Sequence, residues 1–470
     1  MSDHEALMWN VEKDPWLNPN GAALVILDRP IDMVQFRRRI RAMVAQVPRL
    51  HERVVPGLGR LSPPSWTADP EFDFDHHLRE LNLPAPGTDR QLLDLAAQLY
   101  EEPLDRTRPL WRFVIINGLS DGRGALFSIL HHAIADGMGQ LRLAEMFQEL
   151  GPDEELPPDV DLEAMVAEAA SEPARFGGDL SEGLVNTTTH TLGHVVRRQV
   201  GIARRFAGEV AVWPADPRRA GEKVGEVTNL ARSTIGQLTG SGSGVEGGSP
   251  LWKTRSRRRH LEHVSVPLDD VKKTAKALGG SVNDLYVAAL VEAAVRYHHE
   301  RGVAVDAFNT SFVVSTRTDD TAGGNAFTPV PVQLSGRPMS LPSRFVGVRD
   351  ELARKRTEAE ETGGLSALSG VINLLPTSVV TGTARSQAAK MDFATSNLRG
   401  APIPLYVSGA RVLTNITMGP VAGTAANITT LSYAGNLDIG IFVDPAAIAD
   451  PGDLRDHIGQ TFADFFALET

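Results

Sequence analysis

The sequence contains no cysteine. Disulfides, thiolate zinc sites, iron–sulfur clusters and a cysteine nucleophile are therefore excluded, and any chemistry must rest on serine, histidine, carboxylates and backbone amides. Basic charge is not in excess either. Against 47 Lys and Arg stand 58 Asp and Glu, a formal net charge of −11, which gives no global attraction to nucleic acid or anionic lipid. No apolar run approaches the roughly 18 residues of a membrane span. The opening MSDHEALMWN is acidic and lacks the basic head and apolar core of a secretion signal. These absences lead to the expectation of a cytoplasmic protein with no nucleic-acid partner.

With 470 residues, 42% of them hydrophobic, the chain is long enough for two domains and a connector. AALVILD (22–28) has strand composition, and Met33, Phe36, Ile40, Met43 and Val47 then recur at helical spacing until Pro48. FVII (113–116) and ALFSIL (125–130) flank LSDGRG, where Asp121-Gly122 signals a hairpin. Leu143, Met146, Phe147 and Leu150 predict an amphipathic helix further on. From about 151 to 250 strand signals fade into an acidic Pro-rich patch and a Gly/Ser tract. Gly242, Gly244 and Gly247 there fit G-x-G-x-x-G, but no strand precedes them and no helix follows, so a dinucleotide site is rejected. Beyond Leu251, PLDDVKKTAKAL predicts a helix stopped by Gly279-Gly280, and Ser281 caps the next helix with Asp284 at the reciprocal position. FVVS, LYVSG, NITTLSYAG and LDIGIFVD predict strands. The expected division is 1–165, a connector over 166–250, and 251–470, with helices and strands mixed in both outer parts.

Three His-His pairs occur: His76-His77, His131-His132 and His298-His299. For the first and last, a structural role is expected, with the final pair capping carbonyls or solvated near a helix end. Only SILHHAIADGMGQ (128–140) adds an Asp-Gly step, at a strand-to-helix connection. Three roles fit it. A zinc or iron site would use imidazole and carboxylate, but adjacent side chains leaving a strand diverge and Asp136 would have to be the third ligand. A general base needs less: His132 meets the substrate, His131 points back into the structure, Asp136 holds the geometry, and Gly137 and Gly139 allow the close turn. The third role is an inert structural turn.

EEPLDRTRPLWRFVIINGLSDGRGALFSILHHAIADGMG resembles the N-terminal signature of the bacterial wax ester synthase/acyl-CoA:diacylglycerol acyltransferase family, with Pro109-Leu110-Trp111 and HHxxxDG suitably spaced. SPLWKTRSRRRHLEHVSVPLDDVKKTAKALGGSVNDLYVAAL is similar to the segment with the family's Asn-Asp motif, here Asn283-Asp284. Arg317, Gly324-Asn325, SNLRGAPIPLYVSGARV and SYAGNLDIGIFVD follow in the family's order, so the resemblance spans the chain, loosely in the connector.

The resemblance implies an α/β fold with mixed sheets: two chloramphenicol-acetyltransferase-like domains joined by a crossover, with a tunnel between them that the two substrates enter from opposite sides. It implies His132 as the base, with His131 and Asp136 completing the catalytic motif and Asn283 near the reacting carbonyl. Gly137, Ser396 and Asn397 are further candidate substrate contacts, and Asp284, Arg317 and Trp111 candidate supports. No metal or cofactor is implied; acyl-CoA is a co-substrate. The implied reaction transfers a long-chain acyl group to a lipid alcohol, diacylglycerol or fatty alcohol, giving triacylglycerol or wax ester. Alternatives are an acyltransferase for a hydroxylated polyketide lipid and a silent lipid-binding protein of the same fold.

One segment departs from the family. Where Ser-Asn-x-Pro-Gly-Pro is usual, this chain reads Ser396-Asn397-Leu398-Arg399-Gly400-Ala401. A turn is expected there, without its two stiffening prolines and with a cation in it. In the connector, 190–213 places Leu192, Val196, Phe206 and Trp213 on one helical face and Arg197, Arg198, Arg204 and Arg205 elsewhere. Such a helix packs across the domains or lies on an anionic membrane, which extends the expected location to the inner face of the plasma membrane or to lipid droplets. Monomer and homodimer are both compatible with the sequence.

Overall fold

The computed structural model describes residues 1–57, 64–171, 248–315, 327–361 and 377–468. The Gly/Ser tract, the basic segment 190–213 and Arg317 lie outside the described residues. Strands of the first half are β1 (Asn20–Leu27), β2 (Glu52–Val55), β3 (Ser65–Ala68), β4 (Leu78–Asn82), β5 (Trp111–Asn117) and β6 (Gly124–His131). Those of the second are β7 (His260–Pro267), β8 (Ala307–Ser315), β9 (Phe327–Ser335), β10 (Phe393–Arg399), β11 (Tyr406–Val407), β12 (Ala410–Met418), β13 (Ala426–Tyr433) and β14 (Asn436–Val443). Two six-stranded sheets result, ordered β11-β12-β1-β6-β5-β4 and β7-β14-β13-β10-β8-β9, with β2 and β3 paired separately. Both are mixed: β4 runs parallel to β5, and β10 parallel to β13 and β8, while the other pairings are antiparallel.

Local signals account for most elements. Asp32 accepts the Val34 and Gln35 N–H groups and so starts helix Met33–Gln46, whose Phe36, Ile40, Met43 and Val44 form its buried stripe. Gly122, at φ +78°, closes the β5–β6 hairpin. Ser281 and Asp284 form the reciprocal cap of helix Val282–Glu300, which is buried along most of its length in the second core. Among the described residues no single helix is long and apolar enough to cross a membrane.

One expectation needs correction. The helix after the histidines is Gly137–Glu145, so Met146 caps it and Phe147 and Leu150 lie beyond it. Glu149 beyond it bridges to Tyr406, an interaction no local spacing encodes. The segment 251–470 supplies strands to both sheets. β11 and β12 cross into the first sheet, β12 pairing with β1 from Ala22↔Met418 to Leu27↔Val412. Val412, Ile416 and Met418 thereby enter the same core as Leu24, Ile26 and Phe127. Without β12, β1 would be an exposed edge.

Candidate active site

A cavity of about 890 Å³ lies between the sheets. β1, β6 and β12 wall it on one side and β10 and β13 on the other, and the helices Asp3–Val11, Gly137–Glu145 and Thr377–Ala388 also contribute. Most of its lining is apolar, Leu7, Met8, Leu126, Leu130 and Val421 among it, as expected of a site that encloses a lipid-like ligand.

Strand alternation decides between the adjacent histidines. Leu126, Ser128 and Leu130 of β6 face the cavity, and His132 continues their parity into the cavity lining. His131 faces the other way and is fully buried. Its Nδ1 accepts the Ala133 N–H at 2.9 Å, so in the neutral ring the proton resides on Nε2, which lies 3.3 Å from Glu12 Oε2. Arg106 pairs with the same carboxylate, donates to the Trp9 carbonyl at 2.8 Å and covers the Trp9 ring. Among the described residues no three His, Asp or Glu side chains are grouped to hold a metal.

Asp136 is 4% exposed and accepts the Gly139 N–H at 2.7 Å, which makes it the N-cap of the helix that leaves the histidine loop. It also lines the cavity, as does Gly137. A Cβ on Gly137 would come within 3.2 Å of Leu398, and one on Gly139 within 2.9 Å of the Ala135 Cβ. The Asp136–Arg317 pairing considered from sequence falls outside the described residues.

In the second half, Ser396 and Asn397 line the cavity, but Asn283 does not. Asn283 sits in the first turn of its helix and accepts the Asn397 side-chain amide at 3.3 Å. Asn283 thus holds Asn397, and Asn397 lines the cavity. Asp284 stays a helix cap, accepting the Ser281 N–H and hydroxyl. Trp111 is core: its indole donates to the Leu50 carbonyl at 2.7 Å and stacks on His77. The expected turn at 398–401 is corrected. β10 continues its parallel pairing to Arg399↔Ser432, and the Gly400 N–H donates to Ser432 O at 2.9 Å. Leu398 and Arg399 therefore line the cavity from a strand.

One histidine of each other pair, His77 and His298, is buried and hydrogen-bonded. His77 is buried between Phe72 and Trp111 and donates from Nδ1 to the Trp111 carbonyl, and burial pushes its pKa down to about 4. His298 is buried, bonded to the Ala294 carbonyl and the Ser249 hydroxyl, and burial lowers its pKa as well.

Sequence reasoning missed Glu12. It belongs to no motif, and 119 positions separate it from His131, so no local signal marks it. Burial raises its carboxyl pKa, but the His131 and Arg106 partners outweigh burial and hold it below the ordinary 4.5. Because the folded value is depressed, the stabilisation is present above the unfolded pKa and is lost as pH falls through the folded one. Glu12→Gln is expected to cost about 2 kcal/mol at neutral pH, since it strands the Arg106 cation, and the difference should shrink below pH ~4. Thermal unfolding across pH 3–8 checks this; a deficit that persisted undiminished at the acid end would refute the charge pairing.

Residues 1–286 match the family described as the wax ester synthase/diacylglycerol acyltransferase catalytic domain, and residues 323–465 match the WS/DGAT C-terminal domain. A protein of Mycobacterium tuberculosis H37Rv, named as a putative diacylglycerol O-acyltransferase, is 30% identical over 98% of this chain and 90% of its own length. In fold, the chain is similar to the wax ester synthase/diacylglycerol acyltransferase from Marinobacter aquaeolei VT8, at TM-score 0.64 and 18% identity over 98% of this chain and 97% of that one. It is also similar to the first condensation domain of the calcium-dependent antibiotic synthetase, at TM-score 0.58 and 16% identity over 100% and 96%. With both family domains matched in order around one shared cavity, the chain belongs to the wax ester synthase/diacylglycerol acyltransferase family and is an acyl-CoA-dependent acyltransferase.

Proposed function

We propose that the enzyme transfers a long-chain acyl group from acyl-CoA to the hydroxyl of a lipid alcohol, a diacylglycerol or a fatty alcohol, with His132 as general base. One observation carries this reading: His132 is the histidine that lines a largely apolar cavity walled by both halves. Neutral His132 takes the proton from the acceptor hydroxyl as its oxygen attacks the thioester carbonyl carbon. The tetrahedral intermediate collapses with cleavage of the C–S bond. CoA leaves as a thiolate, whose conjugate thiol has a pKa near ~8.5 on the cysteine scale, and takes the proton back from the imidazolium. The alcohol attacks the thioester directly, so the scheme includes no covalent acyl-enzyme. Asn397, held by Asn283, and backbone N–H groups near the histidine loop are the proposed donors to the oxyanion.

Purified enzyme mixed with palmitoyl-CoA and either 1,2-dioctanoylglycerol or hexadecanol is expected to release free CoA thiol together with ester. Thiol release with neither alcohol would favour a silent lipid-binding protein. Release only with a hydroxylated polyketide would move the acceptor class. The same proposal sets the enzyme against a lipid surface through the basic segment 190–213. Changing Arg197, Arg198, Arg204 and Arg205 to Gln is expected to abolish co-sedimentation with anionic vesicles; undiminished sedimentation would remove this segment as the anchor.

A further inference from the structure

Asn415 and Thr417 occupy alternate positions of β12, so their side chains share one face, and that face lines the cavity. Each residue is 7% exposed. Neither Asn415 Oδ1 nor Thr417 Oγ1 has a hydrogen-bond partner. Two other polar residues of the wall satisfy each other and the backbone: Thr429 donates to Asn427 Oδ1 at 2.7 Å, and Asn427 donates to the Pro420 carbonyl at 3.1 Å. Buried amides and hydroxyls are nearly always paired, so two adjacent unpartnered ones facing a cavity point to a partner supplied by a ligand.

Register locates this pair relative to the base. Thr417 is opposite Ala23, which is opposite Ser128 on β6, and Asn415 is opposite Val25 one step further from the histidines. Ser128 also lines the cavity and lies three residues, roughly 10 Å of strand, before the end of β6 at His131, beyond which His132 follows. That separation is too great for Asn415 or Thr417 to stabilise the oxyanion. We infer that Asn415 and Thr417 form a polar subsite for a hydrogen-bond donor carried well away from the reacting carbonyl, either a mid-chain hydroxyl of the lipid or an amide N–H of the pantetheine arm. This rests on the acyl-CoA reading above and adds a second recognition point to it. A plain alkyl chain there leaves the amide unpaired, and a hydroxylated chain satisfies it.

Binding separates the two sources without relying on turnover. Dissociation constants for stearoyl-CoA and 12-hydroxyoctadecanoyl-CoA are measured for the wild type and for Asn415→Leu and Thr417→Val, with melting curves to verify folding; Thr417→Val keeps the side-chain shape if Asn415→Leu unfolds. A chain-hydroxyl subsite gives at least about tenfold tighter wild-type binding of the hydroxylated thioester, and the variants erase that preference. A pantetheine subsite gives equal, about tenfold weakening of both thioesters in folded variants. Constants unchanged for both thioesters overturn the inference. A wild type that binds these thioesters but releases no thiol with either alcohol overturns the base proposal instead.

Discussion

His132→Ala is expected to lower the rate of acyl transfer by about 10²–10⁴-fold while leaving the melting temperature nearly unchanged. The two parts of this expectation come from the same geometry. His132 borders the cavity, so truncation enlarges an existing space and removes little core packing. His131 is the contrasting position. It is 0% exposed and bonded between Ala133 and Glu12, so His131→Ala should lose stability as well as rate. Initial rates of thiol release from palmitoyl-CoA with dioctanoylglycerol or hexadecanol, beside thermal melts of both variants, make the comparison. Near-normal ester formation by His132→Ala would end its assignment as base. A loss of rate that merely followed a loss of folded protein would count against it equally.

Gly440→Ala should be among the most damaging small substitutions away from the histidines. Gly440 lies on β14, opposite Thr429 of β13 and His263 of β7. A Cβ there would fall 2.2 Å from the carbonyl oxygen of Thr417, a backbone atom of the crossover strand that cannot rotate aside. β12 would have to move off the second sheet, although its other edge is in register with β1 and its Asn415 N–H donates to Asp438 of β14 at 3.2 Å. A cost on the order of 3 kcal/mol is expected, at the upper end of overpacking effects. Because β12 walls the cavity, activity should fall further than the melting temperature alone accounts for. Gly347→Ala is the control: it lies exposed within helix Leu341–Glu361 with nothing within 4 Å of the added Cβ, and should stabilise by about 0.5–1 kcal/mol. Equal melting temperatures for the wild type and Gly440→Ala would show that β12 is not held against the second sheet as closely as this geometry requires.

The positions that could be read from sequence share a physical character. The β5–β6 hairpin at Gly122 and the Ser281–Asp284 box depend on residues a few positions apart, whose hydrogen bonds form in the local segment itself. The divergence of His131 from His132 is of this kind too, because alternation along a strand needs no partner to be known. The family's motif order could also be read, since it is a property of the chain.

Other features arose only when distant segments met. Helical spacing carried Phe147 and Leu150 into a helix, but the helix ends at Glu145 and Glu149 bridges to Tyr406. Asn283 stands out by motif, but its hydrogen bond to Asn397, 114 positions away, exists only in the fold. A Gly-containing stretch without prolines suggested a turn, and the ladder with β13 made it a strand that reaches the cavity. Sequence by itself determined which element bears the histidine pair, that its two members face opposite ways, and the family to which the chain is similar. Tertiary structure alone decided that Glu12 backs His131, that β12 completes the first sheet, and that Asn415 and Thr417 stand in the cavity wall. Contacts between residues hundreds of positions apart are selected by packing and register across the whole fold, and no spacing rule within a single segment contains that information.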